Sequence, residues 1–175
     1  MPHMNVIVFL SIRVLHVLLA AIWIGAGVYT AVFLTPAVAA AGPAGGQVMV
    51  GIVRRGLNAF LGTVGGLTIV SGIWLYWRFT GGFDPGVSSS TGGMAFSIGG
   101  VAGILAGVIG GAIVGRSASE MMASAGKMPS LPDGPERGAL AQRMAALRQR
   151  MATGTYVMIV LQVIALALMA IGHYI

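Results

Sequence analysis

The side chains able to do metal or redox chemistry are few. The chain has three histidines, His3, His16 and His173, and no cysteine. Without cysteine there are no disulfides, thiolate metal sites, iron–sulfur clusters, Cys nucleophiles or covalently attached c-type haem. Imidazole remains, as a ligand for a metal ion or for the iron of a non-covalently held b-type haem. The four acidic residues, Asp84, Glu120, Asp133 and Glu136, all lie outside the long apolar runs. No Ser/His/Asp arrangement suggests itself, and no glycine-rich stretch carries a phosphate-loop lysine. Hydrolytic and nucleotide chemistry find no support.

Ionisable residues inside an apolar helix are costly and therefore candidates for function. On a helical period, His16, Ala20, Trp23, Gly27 and Thr30 share one face, with Arg13 a turn before His16. This face predicts that His16 points into a helix bundle. His173 ends the last apolar run, and with an even number of spans it falls at a depth comparable with His16. The pair is predicted to supply two axial ligands to one haem b, with Arg13 or Arg78 as cation for its propionates. The plainer reading keeps each histidine as an interfacial residue bonded to a carbonyl or water, and His3 as part of a tail. Gln162, in mid-run, calls for an interhelical hydrogen bond. Trp74, Tyr76 and Trp77 read as an interfacial aromatic belt.

These residues must be positioned by membrane helices. Charged residues are 8% of the 175-residue chain and hydrophobic residues 57%, with mean hydropathy +0.90. A soluble domain carries about 25% charged residues, so a soluble globular fold and disorder are both excluded. Four apolar stretches approach or exceed the ~20 residues a crossing requires: about 6–34, 57–77, 94–114 and 155–171. The first continues too far, without a clear cleavage site, for a signal peptide. The fold class expected is therefore an all-α integral membrane protein, one four-helix domain covering residues 1–175. Eight of the ten basic residues (Arg54, Arg55, Arg116, Lys127, Arg137, Arg143, Arg148 and Arg150) lie in the first and third connections. Arg13 and Arg78 lie on the other side. The positive-inside rule then puts both termini outside, on the periplasmic side of a bacterial inner membrane, and residues 116–152 in a cytoplasmic basic loop. The charge of +6 is thus a topology signal and not a nucleic-acid footprint. Asp133-Gly134-Pro135-Glu136 predicts a helix start capped by Asp133, so the fourth helix projects into the cytoplasm or lies on the membrane surface. Residues 88–93 read as an outer loop.

The 28 glycines are partly ordered. Gly99, Gly103, Gly107, Gly111 and Gly115 recur every fourth residue, and Gly62 and Gly66 repeat the spacing. Such rows allow close helix packing; a smooth face could also receive a flat ligand such as a tetrapyrrole. Met121, Met122, Met128, Met144 and Met151 gather on the basic side, raising Cu(I) handling as an alternative to ordinary gap filling.

The segment Leu15-His16-Val17-Leu18-Leu19-Ala20-Ala21-Ile22-Trp23-Ile24-Gly25 resembles the opening helix of copper-resistance-protein-D-like (CopD-like) membrane proteins, and is similar to that of HemJ-type protoporphyrinogen oxidases. Both show a His followed seven residues later by Trp and then Gly. Tyr29 and Leu34-Thr35-Pro36-Ala37 extend the likeness, which covers about 25 residues well. The resemblance implies a helical bundle whose His16 binds haem b. The HemJ type also uses a lysine in a later span, whereas the single lysine here, Lys127, lies in a connection, which speaks against porphyrinogen oxidase activity. The function expected is one-electron transfer to or from a quinone or a redox protein, with His16, His173, Arg13, Arg78 and Trp23 around the cofactor. Copper handling is one alternative. The other is a non-catalytic subunit packed by its glycine-rich faces into a homo-oligomer or a larger membrane complex.

Overall fold

The computed structural model describes residues 6–175, with Pro43 described by its backbone alone. Every regular element among them is helical. Four helices are long and apolar enough to cross a membrane: α1 (Val6–Ala40), α3 (Leu57–Phe79), α5 (Thr91–Ser130) and α6 (Pro135–Ile171). The shorter α2 (Gly42–Arg54) and α4 (Pro85–Ser88) lie in the connections. His3 falls outside the described residues.

The helix boundaries follow from local chemistry. A proline ring at position 36 would strike the carbonyl of Val32 in regular α geometry, and α1 widens to a π-helical turn over Thr30–Leu34 just before it. A second π segment, Gly110–Gly115, interrupts α5 where three of six residues are glycine. Gly56, with φ +93°, ends α2 and starts α3, a backbone conformation that other residues adopt only under strain. The expected loop at residues 88–93 is shorter than its composition suggests. Asp84 accepts from the backbone N–H groups of Gly86 (2.9 Å) and Val87 (3.1 Å) to cap α4, and Ser90 accepts from Gly93 (3.1 Å) to cap α5.

The connection expected over 116–152 is mostly helix. Helix α5 continues to Ser130 and α6 starts at Pro135, so the two form a hairpin that extends past the apolar stretches. Glu120 on one arm pairs with Arg143 on the other at 3.2 Å. Asp133 does not cap α6: its carboxylate pairs with Arg137, one turn into the helix, at 2.6 Å, and Gly134 takes the cap position.

Helices α1 and α3 run antiparallel, as do α5 and α6, which share the most extensive interface. The start of α1, the end of α3, the start of α5 and the end of α6 meet at one end of the bundle, here the terminal end. All eight of the basic residues from the first and third connections lie toward the other, basic end. The buried apolar centre takes one residue from each long helix: Trp23, Val64, Ala106 and Met158, flanked by Leu19, Ile69, Ile109 and Leu161.

Candidate functional site around His16

The face of α1 predicted from spacing is the face that packs: Trp23 and Gly27 are buried, and His16, Ala20 and Thr30 are half-buried. Two aromatic rings on this face, seven residues apart, meet two glycines seven residues apart on α3. A methyl group on Gly72 would lie 2.8 Å from Cε1 of His16, and one on Gly65 would lie 2.9 Å from Cε2 of Trp23. Such close approach is possible only where there is no Cβ. Gly62 and Gly66, singled out by their spacing, face open space instead.

At Gly72 the Cε1 edge of the imidazole comes close enough to α3 for Nδ1 to reach its backbone. Nδ1 of His16 is 3.0 Å from the carbonyl oxygen of Thr68 and 3.1 Å from Oγ of Ser71. A carbonyl can only accept, so Nδ1 carries the proton and the neutral ring presents a lone pair at Nε2. The Ser71 hydroxyl donates to the carbonyl of Leu67 at 2.7 Å, which leaves its oxygen free to accept from the imidazole. No protein group among the described residues is hydrogen-bonded to Nε2. This is the arrangement that orients an imidazole for coordination through its other nitrogen. Thr68, Ser71 and Gly72 were not picked out from the sequence. Two small hydroxyls and a glycine within five residues were their only signal, and Gly62, Thr63 and Gly66 give a similar one earlier in the helix.

The remaining predicted site residues are placed apart from it. His173 is exposed, with its ring edge-on to Phe96 of α5 at 5.0 Å between centroids, and Phe96 in turn meets Phe79 of α3 at 5.1 Å. Phe79 is seven residues beyond Gly72, ~10 Å further along α3 at 1.5 Å per residue. Among the described residues no contact joins His16 and His173. Arg13 is exposed, without a hydrogen bond or ion pair among the described residues. Arg78 is half-buried at the terminal end; its guanidinium carbon lies 5.7 Å from the Trp77 ring centre, and its Nε is buried with no hydrogen-bond partner among the described residues. Trp23 sits at the centre of the bundle core, one heptad below His16.

Two other expectations resolve in packing terms. Gln162 is only 1% exposed, and neither Oε1 nor Nε2 of its carboxamide finds a partner. It faces α1, where a methyl group on Gly27 would lie 3.6 Å from Oε1. The predicted interhelical hydrogen bond is absent among the described residues. The row from Gly99 to Gly115 is not one seam, because a step of four residues drifts around the helix. Gly99 faces α6, Gly107 faces Ile69 and Trp23, and Gly103 and Gly111 face open space. Among the described residues, no three His, Asp or Glu side chains gather as a metal-binding group.

The chain matches no protein-family model, and no curated protein or solved structure is similar enough to match it.

Proposed function

We propose that this is a multi-pass protein of the bacterial inner membrane that holds haem b through Nε2 of His16 and transfers single electrons. The quinone or partner redox protein would be met on the outer side, where the positive-inside rule places the terminal end. One observation carries this reading: the Nδ1–H of His16 is committed to the Thr68 carbonyl, which fixes the tautomer that leaves Nε2 as a ligand. A haem iron supplies one-electron redox chemistry, with a potential set by its ligand, hydrogen bonding and burial.

The chain's own part is to fix the imidazole. Gly72 supplies the room, the Thr68 carbonyl and Ser71 hydroxyl set its orientation, and Trp23 anchors α1 one heptad away. With its Nδ1–H donating to a carbonyl, the ligand is a stronger electron donor than a free imidazole. His173 packs on Phe96 and makes no contact with His16 among the described residues, so His16 is the one axial ligand proposed from this chain.

A non-catalytic subunit is the second reading, favoured by the thin attachment of α1. Only 6% of its most apolar stretch is buried within the chain, against 17% for each of the other three long helices.

The test is the visible spectrum of the detergent-purified protein, oxidised and dithionite-reduced, after expression with haem supplied. The expected outcome is a reducible b-type spectrum that survives His173→Ala and vanishes in His16→Ala. A colourless wild-type protein, or a spectrum indifferent to His16→Ala, overturns the haem reading and leaves the subunit reading, for which co-purifying partners are the next measurement.

A further inference from the structure

At the basic end, where the α5–α6 hairpin leaves the apolar part of the bundle, a groove of about 480 Å³ runs between the two helices. Its lining changes character along its length. Ile109, Ile113 and Val157 line the part nearer the bundle, and Gln149, Arg150 and Thr153 the part nearer the hairpin. The change falls where the apolar stretch of α6 begins, at Thr155. Gly154 lies between the two parts, against Ile113 and Val114, and the π segment of α5 runs alongside.

Arg150 is exposed and joins neither of the ion pairs seen among the described residues, Arg137–Asp133 and Arg143–Glu120. No acidic side chain lines the groove. A positive, hydrogen-bonding mouth above an apolar trough, at the level where a helix passes from hydrocarbon to water, is complementary to one kind of molecule. It is an amphiphile with an anionic phosphodiester headgroup and an acyl chain. Arg150, Gln149 and Thr153 offer donors to the phosphate oxygens, and Ile109, Ile113 and Val157 offer contact to the chain.

We propose that this groove is a binding site for an anionic phospholipid of the leaflet at the basic end. Arg150 takes the headgroup phosphate there. The site is independent of any cofactor at His16, which lies in the opposite half of the bundle.

General attraction of a basic surface to an acidic membrane would spread over all the arginines; a built site would not. Arg148 supplies the comparison. It is exposed, carries the same charge and is two residues away, but does not line the groove.

The full-length protein is reconstituted in phosphatidylcholine bilayers containing trace spin-labelled phosphatidylglycerol or spin-labelled phosphatidylcholine. The motionally restricted fraction of each label gives their relative affinity. Wild-type protein is expected to prefer phosphatidylglycerol roughly fivefold, the scale set by one arginine at an anionic surface. Arg150→Gln should bring the ratio close to one, and Arg148→Gln should leave it near the wild-type value. Ala146 also lines the groove, one turn before Arg150; Ala146→Phe fills it without altering any charge, and should remove the preference as Arg150→Gln does. Equal losses from Arg148→Gln and Arg150→Gln, a preference untouched by Ala146→Phe, or no wild-type preference would each overturn the site.

Discussion

At the scale of single residues, the imidazole of His16 is defined by what touches it. One nitrogen is held by a helix carbonyl and a serine hydroxyl, one ring carbon rests on a glycine, and the other nitrogen has no hydrogen-bond partner among the described residues. These contacts make different demands. In Gly72→Ala the new methyl group starts 2.8 Å from the ring. Overpacking of this kind costs about 1–3 kcal/mol, and the ring must tilt away from the Thr68 carbonyl. In Ser71→Ala that carbonyl remains and only the secondary acceptor is lost, about 0.5–1.5 kcal/mol. Gly72→Ala is therefore expected to displace the b-type absorption bands, or to lower haem occupancy, well beyond the effect of Ser71→Ala. Titrating both variants with haem and following the Soret band checks this ordering. That His16 points into the bundle was legible in the sequence, because it shares a helical face with Ala20, Trp23 and Gly27. Its partners were not, because Thr, Ser and Gly are common in membrane helices, and only the antiparallel register of α3 distinguishes Thr68, Ser71 and Gly72 from Thr63, Gly62 and Gly66.

At the scale of elements, α1 and α3 meet through a matched heptad, His16 over Gly72 and Trp23 over Gly65. The regular four-residue glycine spacings were the visible pattern, yet the positions that carry the contact are the seven-residue ones. Two helices crossing at a shallow angle stay in register every 3.5 residues, whereas a strict period of four drifts away from the seam. Gly65→Ala should therefore lower stability by about 1–3 kcal/mol, because the rigid Trp23 ring has little room to retreat. Gly62→Ala and Gly66→Ala should stay within about 0.5 kcal/mol of wild type. Unfolding in mixed micelles of increasing dodecyl sulfate content, followed by circular dichroism, separates the three. The long helices were readable because hydropathy alone sets their existence. The early start of α6 is legible in Asp133-Gly134-Pro135-Glu136, and the helix begins at Pro135; the continuation of α5 to Ser130 is not, since that arm is polar on one side and held by contact with α6. The cap expected of Asp133 fails for a local reason: a cap and an i,i+4 ion pair compete for one carboxylate, and Arg137 takes it.

At the scale of the whole molecule, two antiparallel helix pairs lie side by side, with eight of the ten basic residues gathered toward one end and an aromatic cluster of Phe79, Phe96 and His173 at the other. The native absence of cysteine makes the sidedness directly measurable. With Pro132→Cys at the hairpin tip and Ser89→Cys in the connection at the terminal end, a membrane-impermeant maleimide is expected to label only Ser89→Cys from outside intact spheroplasts, and both after lysis. The reverse pattern would invert the orientation and place the proposed haem near the inner face. The core contact of Trp23 has a further consequence, which concerns time. Val64 arrives with the second long helix, Ala106 with the third and Met158 only with the fourth, so during synthesis the indole of the first helix waits, incompletely enclosed, for the last one. A chain interrupted before α6 leaves that ring facing lipid or a chaperone. The arrival of α6 is thus registered on α1, at the same spot that later steadies the helix bearing His16.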